Sequence, residues 1–219
     1  QLRELDGFGE KSEQKIRKGI EFLKSTGGRA ILGFVYPELA SLEEIIGNFP
    51  EVDKVMIAGS ARRCKETIGD IDILATSKQP ASVMERFVNL DVVDHVYGQG
   101  ETKTNVRLSN RLDADLRIVP AGSWGAAMCY FTGSRDHNIE LRNIAIKKNW
   151  KLNEYGLYAG DTFIAGKTEK AIYRKLGLAY IEPELRENRG EIDAARRGKL
   201  PKLVGYNDLK GDLQTQTNW

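Results

Sequence analysis

The sequence predicts an α+β fold in which helices flank a mixed, mostly antiparallel β-sheet. β-Branched and apolar runs at 54–58 and 70–74 are typical of strands, and the segment 91–97 alternates like a strand with one exposed face. Apolar residues at 39–46 recur at helical spacing. With 219 residues, 41% of them hydrophobic, the chain is long enough to bury a substantial core.

The other elements are predicted from similar patterns along the chain. Pro37 is expected to start the first helix, and Gly47-Asn48 to end it. The glycine-containing segment 100–104 is predicted to be a turn between strands. Further helices are expected at 82–87, 136–148 and 169–176, and further strands at 106–108, 111–119 and 152–158.

The charge and cysteine content exclude few classes of protein by themselves. Thirty-three Lys and Arg residues against 31 Asp and Glu residues give a net charge of +2. Basic residues cluster at 11–24, 62–65, 142–151 and 196–202, and such clusters are usually solvated faces. The two cysteines have neither metal-like nor disulfide-like spacing, which predicts a cytoplasmic protein. No apolar run approaches the length of a membrane span, so no membrane association is expected.

The most informative stretch runs from residue 57 to residue 74 and is typical of strand, turn, helix, turn and strand. Its first strand ends in Gly59-Ser60, a turn and N-cap pair that opens a short basic helix. The N-terminus of such a helix suits a polyphosphate. On the second strand Asp70 and Asp72 project from one face, because side chains alternate along a strand.

Two neighbouring carboxylates repel each other unless a cation lies between them. A hard divalent metal with oxygen ligands meets that need, and a phosphate bound at the adjacent helix would complete its coordination. The alternative is a solvated acidic turn, because Asp-x-Asp alone is common. The Gly-Ser pair before it and the strand after it favour a site for a metal and a nucleotide.

Gly-Ser-x-Arg-Arg at 59–63 and Gly-Asp-x-Asp at 69–72 resemble the nucleotidyltransferase signature of family X DNA polymerases, the group that contains DNA polymerase beta. The resemblance implies that Ser60 and Arg63 contact the β and γ phosphates of an incoming nucleotide. It also implies that the two acidic residues are shared by two Mg²⁺ ions, for which Mn²⁺ can substitute. The glycines of the motif, Gly59 and Gly69, belong to the same nucleotide site.

The predicted strand 111–119 supplies a third carboxylate, which two-metal phosphoryl transfer needs beside the attacking hydroxyl. Asp113 and Asp115 share one face, so their spacing does not choose between them. The match of Asp-Leu-Arg-Ile-Val-Pro to the family pattern implies Asp115. Polymerase beta has arginine at the place of Asp113. Arg117 matches an arginine that the resembling enzymes pair with a glutamate of the thumb, here Glu154.

Cys-Tyr-Phe-Thr-Gly-Ser at 129–134 resembles the Tyr-Phe-x-Gly-Ser loop of the same family. The resemblance implies that Tyr130 and Phe131, with Gly133 after them, lie against the sugar and exclude a 2′-hydroxyl. Without it, a Tyr-Phe pair at a strand–helix junction is simply core. In the following helix, the family position of Asn138 implies contact with the minor-groove edge of the incoming base, and that of Arg142 contact with the template strand.

Further DNA contacts are implied near the start of the chain and in the turn at 100–104. Gly7-Phe8-Gly9 before a basic helix resembles a helix-hairpin-helix element, which makes Gly7, Gly9 and Lys11 candidates for a DNA phosphate. An ordinary helix cap explains the pattern about as well. The Gly-Glu-Thr-Lys segment resembles one in polymerase beta whose basic residue, here Lys103, lies near DNA. His95 and His137 are expected to be strand or packing residues, without a catalytic role.

The resemblance covers nearly the whole chain and implies four segments. They are a helix-hairpin-helix remnant of the fingers region at 1–30, a nucleotidyltransferase palm at 31–128, a small α/β thumb at 129–198, and a linker with the start of a truncated PHP domain at 199–219. The usual His-x-His pair of a PHP nuclease would fall at Gln214 and Gln216, and amides are poor substitutes for imidazole ligands. The chain begins at Gln1 and is therefore expected to be a fragment, and the resemblance implies that it lacks the upstream lyase domain of the family.

The function that this resemblance implies is template-directed addition of deoxynucleotides to a primer 3′-hydroxyl, in DNA repair or gap filling. The expected partners are primer–template or gapped DNA and deoxynucleoside triphosphates, and the expected state is a monomer. One alternative is another nucleotidyltransferase, acting on RNA, protein or a small molecule. A second alternative is a DNA-binding fragment with little catalysis.

Overall fold

A computed structural model of the chain describes Glu13 and residues 28–211. The predicted hairpin residues Gly7, Gly9 and Lys11 lie outside the described residues. The glutamines at Gln214 and Gln216 lie outside them as well. These predictions therefore stay predictions.

A five-stranded mixed sheet organises the first half of the chain, with the strand order β2-β4-β7-β6-β5. Only β4 and β7 run parallel, and every other neighbouring pair is antiparallel. The mixed, mostly antiparallel sheet predicted from the sequence is confirmed. Its strands are β2 (Val52–Ile57), β4 (Asp70–Ser77), β5 (Val93–Gln99), β6 (Lys103–Leu108) and β7 (Asp113–Ile118), and a separate antiparallel pair joins β1 (Ala30–Ile31) to β3 (Thr67–Ile68).

Two helices, α1 (Leu32–Gly47) and α3 (Pro80–Val88), cover one face of this sheet. Ile71 and Ile73 of β4 point into the core beneath them, as alternation along the strand requires. The predicted start of α1 at Pro37 is wrong, because the helix begins at Leu32 and contains the proline. The buried face of the helix, formed by Leu39, Leu42 and Ile46, outweighs the one backbone hydrogen bond that the proline removes.

The opposite face of the sheet carries the acidic side chains and meets the second half of the chain. A one-turn helix, α2 (Gly59–Arg62), connects β2 to β3, and α4 (Trp124–Thr132) packs against Leu74 through a small cluster with Ala127 and Met128. The Tyr-Phe segment was expected in a loop, but it forms the last turn of α4. The expected division between palm and thumb at 128/129 falls inside this helix.

The second half forms its own α/β unit with its own hydrophobic core. The helix predicted at 169–176 is confirmed. The single strand predicted at 152–158 is wrong, because this segment falls in two antiparallel strands joined by a turn at 154–155. Neither the third strand of the small sheet nor the last helix was predicted. The elements are α5 (Arg135–Lys147), the antiparallel strands β8 (Trp150–Asn153), β9 (Gly156–Ala159) and β10 (Thr162–Ala165), α6 (Glu169–Leu176) and α7 (Glu191–Arg196). Among the described residues, no helix combines the length and apolar character needed to cross a bilayer.

Candidate active site

The parallel pairing of β4 with β7 aligns the acidic residues. Asp70 lies opposite Asp113, and Asp72 lies opposite Asp115, so four carboxylates occupy two neighbouring rungs of one sheet face. The separation of the two strands is fixed by backbone hydrogen bonds at about 4.8 Å. The sequence predicted which residues share a face, but the alignment of the two strands was not predictable from either strand alone.

Asp72 is the most electrostatically perturbed of these residues. Burial raises its pKa, and the negative charges of Asp70 and Asp115 raise it further, to about 6. Such a raised pKa is what a cluster of carboxylates shows before a cation neutralises it. Gly59 lies directly above this carboxylate with φ +59°, and a Cβ at that position would collide with the oxygen Oδ2 of Asp72. Glycine is therefore required here both by conformation and by space.

Asp113 and Asp115 differ in their partners, although they share a face. The guanidinium of Arg107 donates from Nε to Oδ1 of Asp113 at 2.8 Å and from Nη2 to Oδ2 at 3.1 Å. The hydroxyl of Tyr97 donates to the same Oδ1 at 3.0 Å. Both oxygens of Asp113 are thus bound within the protein. This accounts for a residue whose role the sequence left unexplained.

Asp115 has different partners, an amide and a lysine. Its Oδ1 accepts a hydrogen bond from the amide of Asn105, and the Nζ of Lys103 lies 3.5 Å from its Oδ2. As placed, no three Asp, Glu, His or Cys side chains among the described residues form a group that could hold a metal ion. The chemistry of the donors nevertheless fits a hard divalent cation, because Asp70, Asp72 and Asp115 lie on one sheet face and the pKa of Asp72 is raised.

An open cleft of about 540 Å³ lies beside the acidic face, between the first and second units. Most of the nucleotide-site residues predicted from the sequence line it. Arg29, Thr132 and Arg135 also line it and were not predicted as site residues. The lining residues are Arg29, Gly59, Ser60, Arg63, Asp70, Asp72, Tyr130, Phe131, Thr132, Gly133, Arg135, Asn138 and Arg142. Asp115, Gly69, Lys103, Arg117 and Glu154, also predicted, are not among them.

One side of the cleft is cationic. Arg63 donates from Nε to Glu187 at 2.8 Å and from Nη1 to the carbonyl of Thr132 at 2.5 Å. Arg29 donates to the hydroxyl and the carbonyl of Thr67 at 2.9 and 2.6 Å. Arg29 reaches the site through the pairing of β1 with β3, a long-range contact for which the sequence contains no local signal. Acidic and basic groups thus face one another across a space large enough for a charged ligand.

The aromatic wall of the cleft is formed at the end of α4. Tyr130 and Phe131 are in edge-to-face contact, with ring centroids 5.0 Å apart. The amide of Asn138 donates to the carbonyl of Tyr130 at 2.7 Å and ties α5 to this wall. The expected pairing of Arg117 with Glu154 is not formed among the described residues. The guanidinium of Arg117 instead lies 4.7 Å from the ring centroid of Phe131, a cation–π contact that holds it beneath the wall.

A buried ion-pair network joins α2 to the second unit behind the cleft. Glu169 accepts two hydrogen bonds from Arg62, at 3.0 and 2.6 Å, and one from Arg186 at 2.7 Å. Burial raises the pKa of Glu169, but the hydrogen bonds and charges of the two arginines outweigh it and lower the pKa to about 2. Sequence reasoning did not find this network, because Glu169 is 107 residues from Arg62 and 17 residues from Arg186 along the chain.

The two histidines lie where the sequence predicted, one on a strand and one packed in the interior. His95 is exposed on β5. His137 is fully buried in α5, with Nδ1 2.7 Å from Glu191 and Nε2 2.8 Å from the hydroxyl of Tyr173. Burial lowers its pKa despite the opposing effect of Glu191, so the ring is neutral near pH 7. It connects three helices of the second unit.

Comparison with known proteins agrees with this geometry. A family model described as DNA polymerase beta thumb matches residues 127–187. The DNA polymerase/3′-5′ exonuclease PolX of Bacillus subtilis is 32% identical over 219 residues, which are 98% of this chain and 38% of that protein. Repair DNA polymerase X of African swine fever virus is 29% identical over 140 residues, 60% of this chain and 80% of that protein.

The fold has a solved counterpart. The crystal structure of a Leishmania infantum polymerase beta ternary P/T complex matches 84% of this chain and 84% of its own, with a TM-score of 0.65 and 19% identity. At that identity the likeness shows the fold alone. Nearly all of this chain matches the bacterial PolX, but the chain spans well under half of the length of that protein. The family model, the relatives and the fold agree with one another. Together they support assignment of this chain to family X of the DNA polymerases, the group that contains polymerase beta.

Proposed function

We propose that this chain adds deoxynucleotides to the 3′-hydroxyl of a DNA primer under the direction of a template, and releases pyrophosphate. The observation that carries the proposal is the register of β4 and β7, which aligns Asp70, Asp72 and Asp115 beside a cleft with a cationic side. The names of the relatives support DNA as the substrate.

In this proposal the triphosphate lies on the cationic side of the cleft. The hydroxyl of Ser60 and the guanidiniums of Arg63 and Arg29 bind its outer phosphates, where their charge offsets the phosphate oxygens. Gly59 keeps the backbone close to the carboxylate of Asp72, so phosphate and carboxylate oxygens are brought within reach of one cation. The positive groups thus hold the leaving pyrophosphate.

Asp70 and Asp72 would hold both Mg²⁺ ions, and Asp115 would hold the one at the primer terminus, with Mn²⁺ as a substitute. When bound, these ions lower the pKa of the attacking hydroxyl and neutralise charge on the phosphoryl oxygens. The protein's part is to hold the carboxylates at a fixed spacing on a rigid sheet. Its second part is to orient the sugar and base through Tyr130 and Asn138.

The test is extension of a 5′-labelled primer in Mg²⁺, on matched templated and single-stranded DNA. We expect extension only on the templated DNA, with each added base complementary to the template. Asp70→Asn serves as the inactive control, because it keeps the volume of the side chain and removes its charge. Untemplated addition, or addition to an RNA, protein or small-molecule acceptor in place of the primer, would contradict the proposal and favour another nucleotidyltransferase.

A further inference from the structure

We propose that Lys103 occupies the metal-binding oxygen of Asp115 until primer DNA is bound, and that the DNA backbone releases it. Lys103 thereby makes the assembly of the catalytic site conditional on DNA. The inference rests on the proposed function, because it takes Asp115 as a metal ligand. It concerns a different step, the order in which the site is completed.

The geometry comes from strand β6, which lies next to β7. Lys103 and Asn105 are two residues apart on β6, so both side chains project from the acidic face of the sheet. Asn105 is the direct cross-strand partner of Asp115. Its amide binds Oδ1, while the ammonium of Lys103 lies 3.5 Å from Oδ2. Each oxygen of the carboxylate therefore has its own protein partner.

The next ion pair along the same two strands, between Arg107 and Asp113, provides a comparison. Arg107 binds Asp113 through two hydrogen bonds, and its side chain is only 8% exposed. Within residues 28–211, the ammonium of Lys103 has one ion-pair contact, at 3.5 Å, and its side chain is 40% exposed. A long, exposed ion pair of this kind is weak and easily exchanged. The pair at Asp113 is fixed, whereas the pair at Asp115 is suited to exchange.

An ammonium beside a carboxylate oxygen competes with a divalent cation for that oxygen, because both need the same lone pairs and repel each other. The phosphates of DNA offer Lys103 an alternative anionic partner in a backbone of high linear charge density. Once the ammonium binds phosphate, Oδ2 of Asp115 is free, and the amide of Asn105 still orients the carboxylate through Oδ1. DNA and the metal at Asp115 must then strengthen each other's binding by the same factor.

The experiment is a Mn²⁺ titration of the whole chain, followed by electron paramagnetic resonance of free Mn²⁺. It is done with and without a primer–template duplex whose primer ends in a dideoxynucleotide, so no reaction occurs. Asp115→Asn is titrated in parallel, and the difference from the unaltered chain isolates the Mn²⁺ bound at Asp115. This subtraction also removes Mn²⁺ bound by the DNA itself.

Without DNA, we expect Lys103→Met to bind the Asp115-dependent Mn²⁺ about fivefold more tightly than the unaltered chain, the fold-change of an exposed ion pair. With DNA the two proteins should differ little. Lys54→Met is the matched control, because Lys54 is an exposed lysine on the opposite edge strand of the same sheet. It should bind Mn²⁺ like the unaltered chain in both states. Circular dichroism checks that the variants remain folded.

Two failures are distinguishable. If Asp115→Asn loses a Mn²⁺ ion but Lys103→Met leaves the DNA-free affinity unchanged, the coupling is overturned and the proposed function stands. If Asp115→Asn loses no Mn²⁺ ion in either state, Asp115 is not a metal ligand, and that part of the proposed function fails. A tighter DNA-free site in Lys103→Met, with no change in Lys54→Met, supports the coupling.

Discussion

Asp113 and Asp115 are two residues apart and face the same side of the sheet, yet residues of β5 and β6 bind them in different ways. Arg107 and Tyr97 bind both oxygens of Asp113. Asp115 accepts a hydrogen bond from the amide of Asn105 and lies 3.5 Å from the ammonium of Lys103, whose side chain is 40% exposed. At the scale of single residues, the partner strand therefore distinguishes two chemically identical side chains that strand periodicity cannot distinguish.

We predict that Asp115→Asn lowers the single-turnover rate of primer extension by at least ~10³, because a metal position contributes several kcal/mol to transition-state stabilisation. Nucleotide affinity should remain largely intact, since Asp70 and Asp72 are unchanged. Rapid-quench extension under single-turnover conditions measures both. Asp113→Asn is the matched control, and its rate should stay within about tenfold of the unaltered chain. A full loss in the control would identify Asp113 as the catalytic carboxylate.

Gly59 offers a test that changes no charge. Gly59→Ala places a methyl group against the carboxylate of Asp72 at a positive φ. We expect loss of extension by at least about tenfold, since misplacement of a reacting group by about 1 Å can lower the rate by about 10². Gly98→Ala is the control, because a Cβ there meets nothing within 4 Å. Steady-state extension by Gly59→Ala at the unaltered rate would show that the close approach of loop and carboxylate is not needed.

At the scale of elements, the last turn of α4 and the first turn of α5 form one wall of the cleft. We predict that this wall excludes a 2′-hydroxyl, since crowding a polar group without a partner costs about 1–3 kcal/mol. Discrimination of about tenfold or more in kcat/KM between deoxy- and ribonucleotides is expected from that cost. Tyr130→Ala should reduce it, because the exposed ring of Tyr130 lines the site. Equal kcat/KM values for the two sugars in the unaltered chain would refute the assignment.

The network around Glu169 predicts a pH dependence of stability. Its pKa is lowered to about 2 from an ordinary value of 4.5, so its contribution is complete above pH 4.5 and is lost as the pH falls toward 2. Glu169→Gln leaves Arg62 and Arg186 without their anion and should lower the free energy of unfolding by about 3 kcal/mol near pH 7.

Denaturant unfolding from pH 7 to pH 2 measures this effect. The difference between the unaltered chain and Glu169→Gln should shrink below pH 4.5. Glu182→Gln is the control, because Glu182 is exposed and adjoins the same network without bonding to it. A difference that is constant across the pH range would mean that Glu169 acts through packing, without its charge.

Element prediction succeeded where the pattern is local and failed where packing decides. Helix α6 was predicted with its observed bounds, and its end signals are local, because Thr168 caps it and Gly177 ends it. Helix α4 was missed, because its small residues 125–127 carry no amphipathic pattern and are buried on contact with both units. The site residue Arg29 was missed for a related reason, since only the β1–β3 pairing brings it to the cleft.

At the scale of the whole molecule, the positions of the basic residues are more informative about DNA binding than the net charge is. The chain carries a net charge of only +2, but Arg135 and Arg142 of α5 line the cleft. We predict that Arg142→Ala weakens primer–template binding and reduces the slope of log affinity against log salt by about 0.9, the value for one phosphate contact.

Fluorescence anisotropy of a labelled duplex over a range of salt concentrations measures this slope. Arg174→Ala is the control, because Arg174 is an exposed arginine on α6 and does not line the cleft. Its slope should match that of the unaltered chain. An equal reduction in both variants would mean that the duplex senses overall charge and makes no specific contact with α5.

The parallel pairing of β4 with β7 also bears on how this protein tolerates evolutionary change. Main-chain hydrogen bonds set the spacing of the carboxylates, so core side chains can be exchanged without moving the acidic groups relative to one another. A deletion of one residue within either strand would instead turn the carboxylates into the core. Natural selection should therefore reject length changes inside the two strands and accept them in the turns at 100–102 and 109–112, even among relatives as divergent as 29% identity.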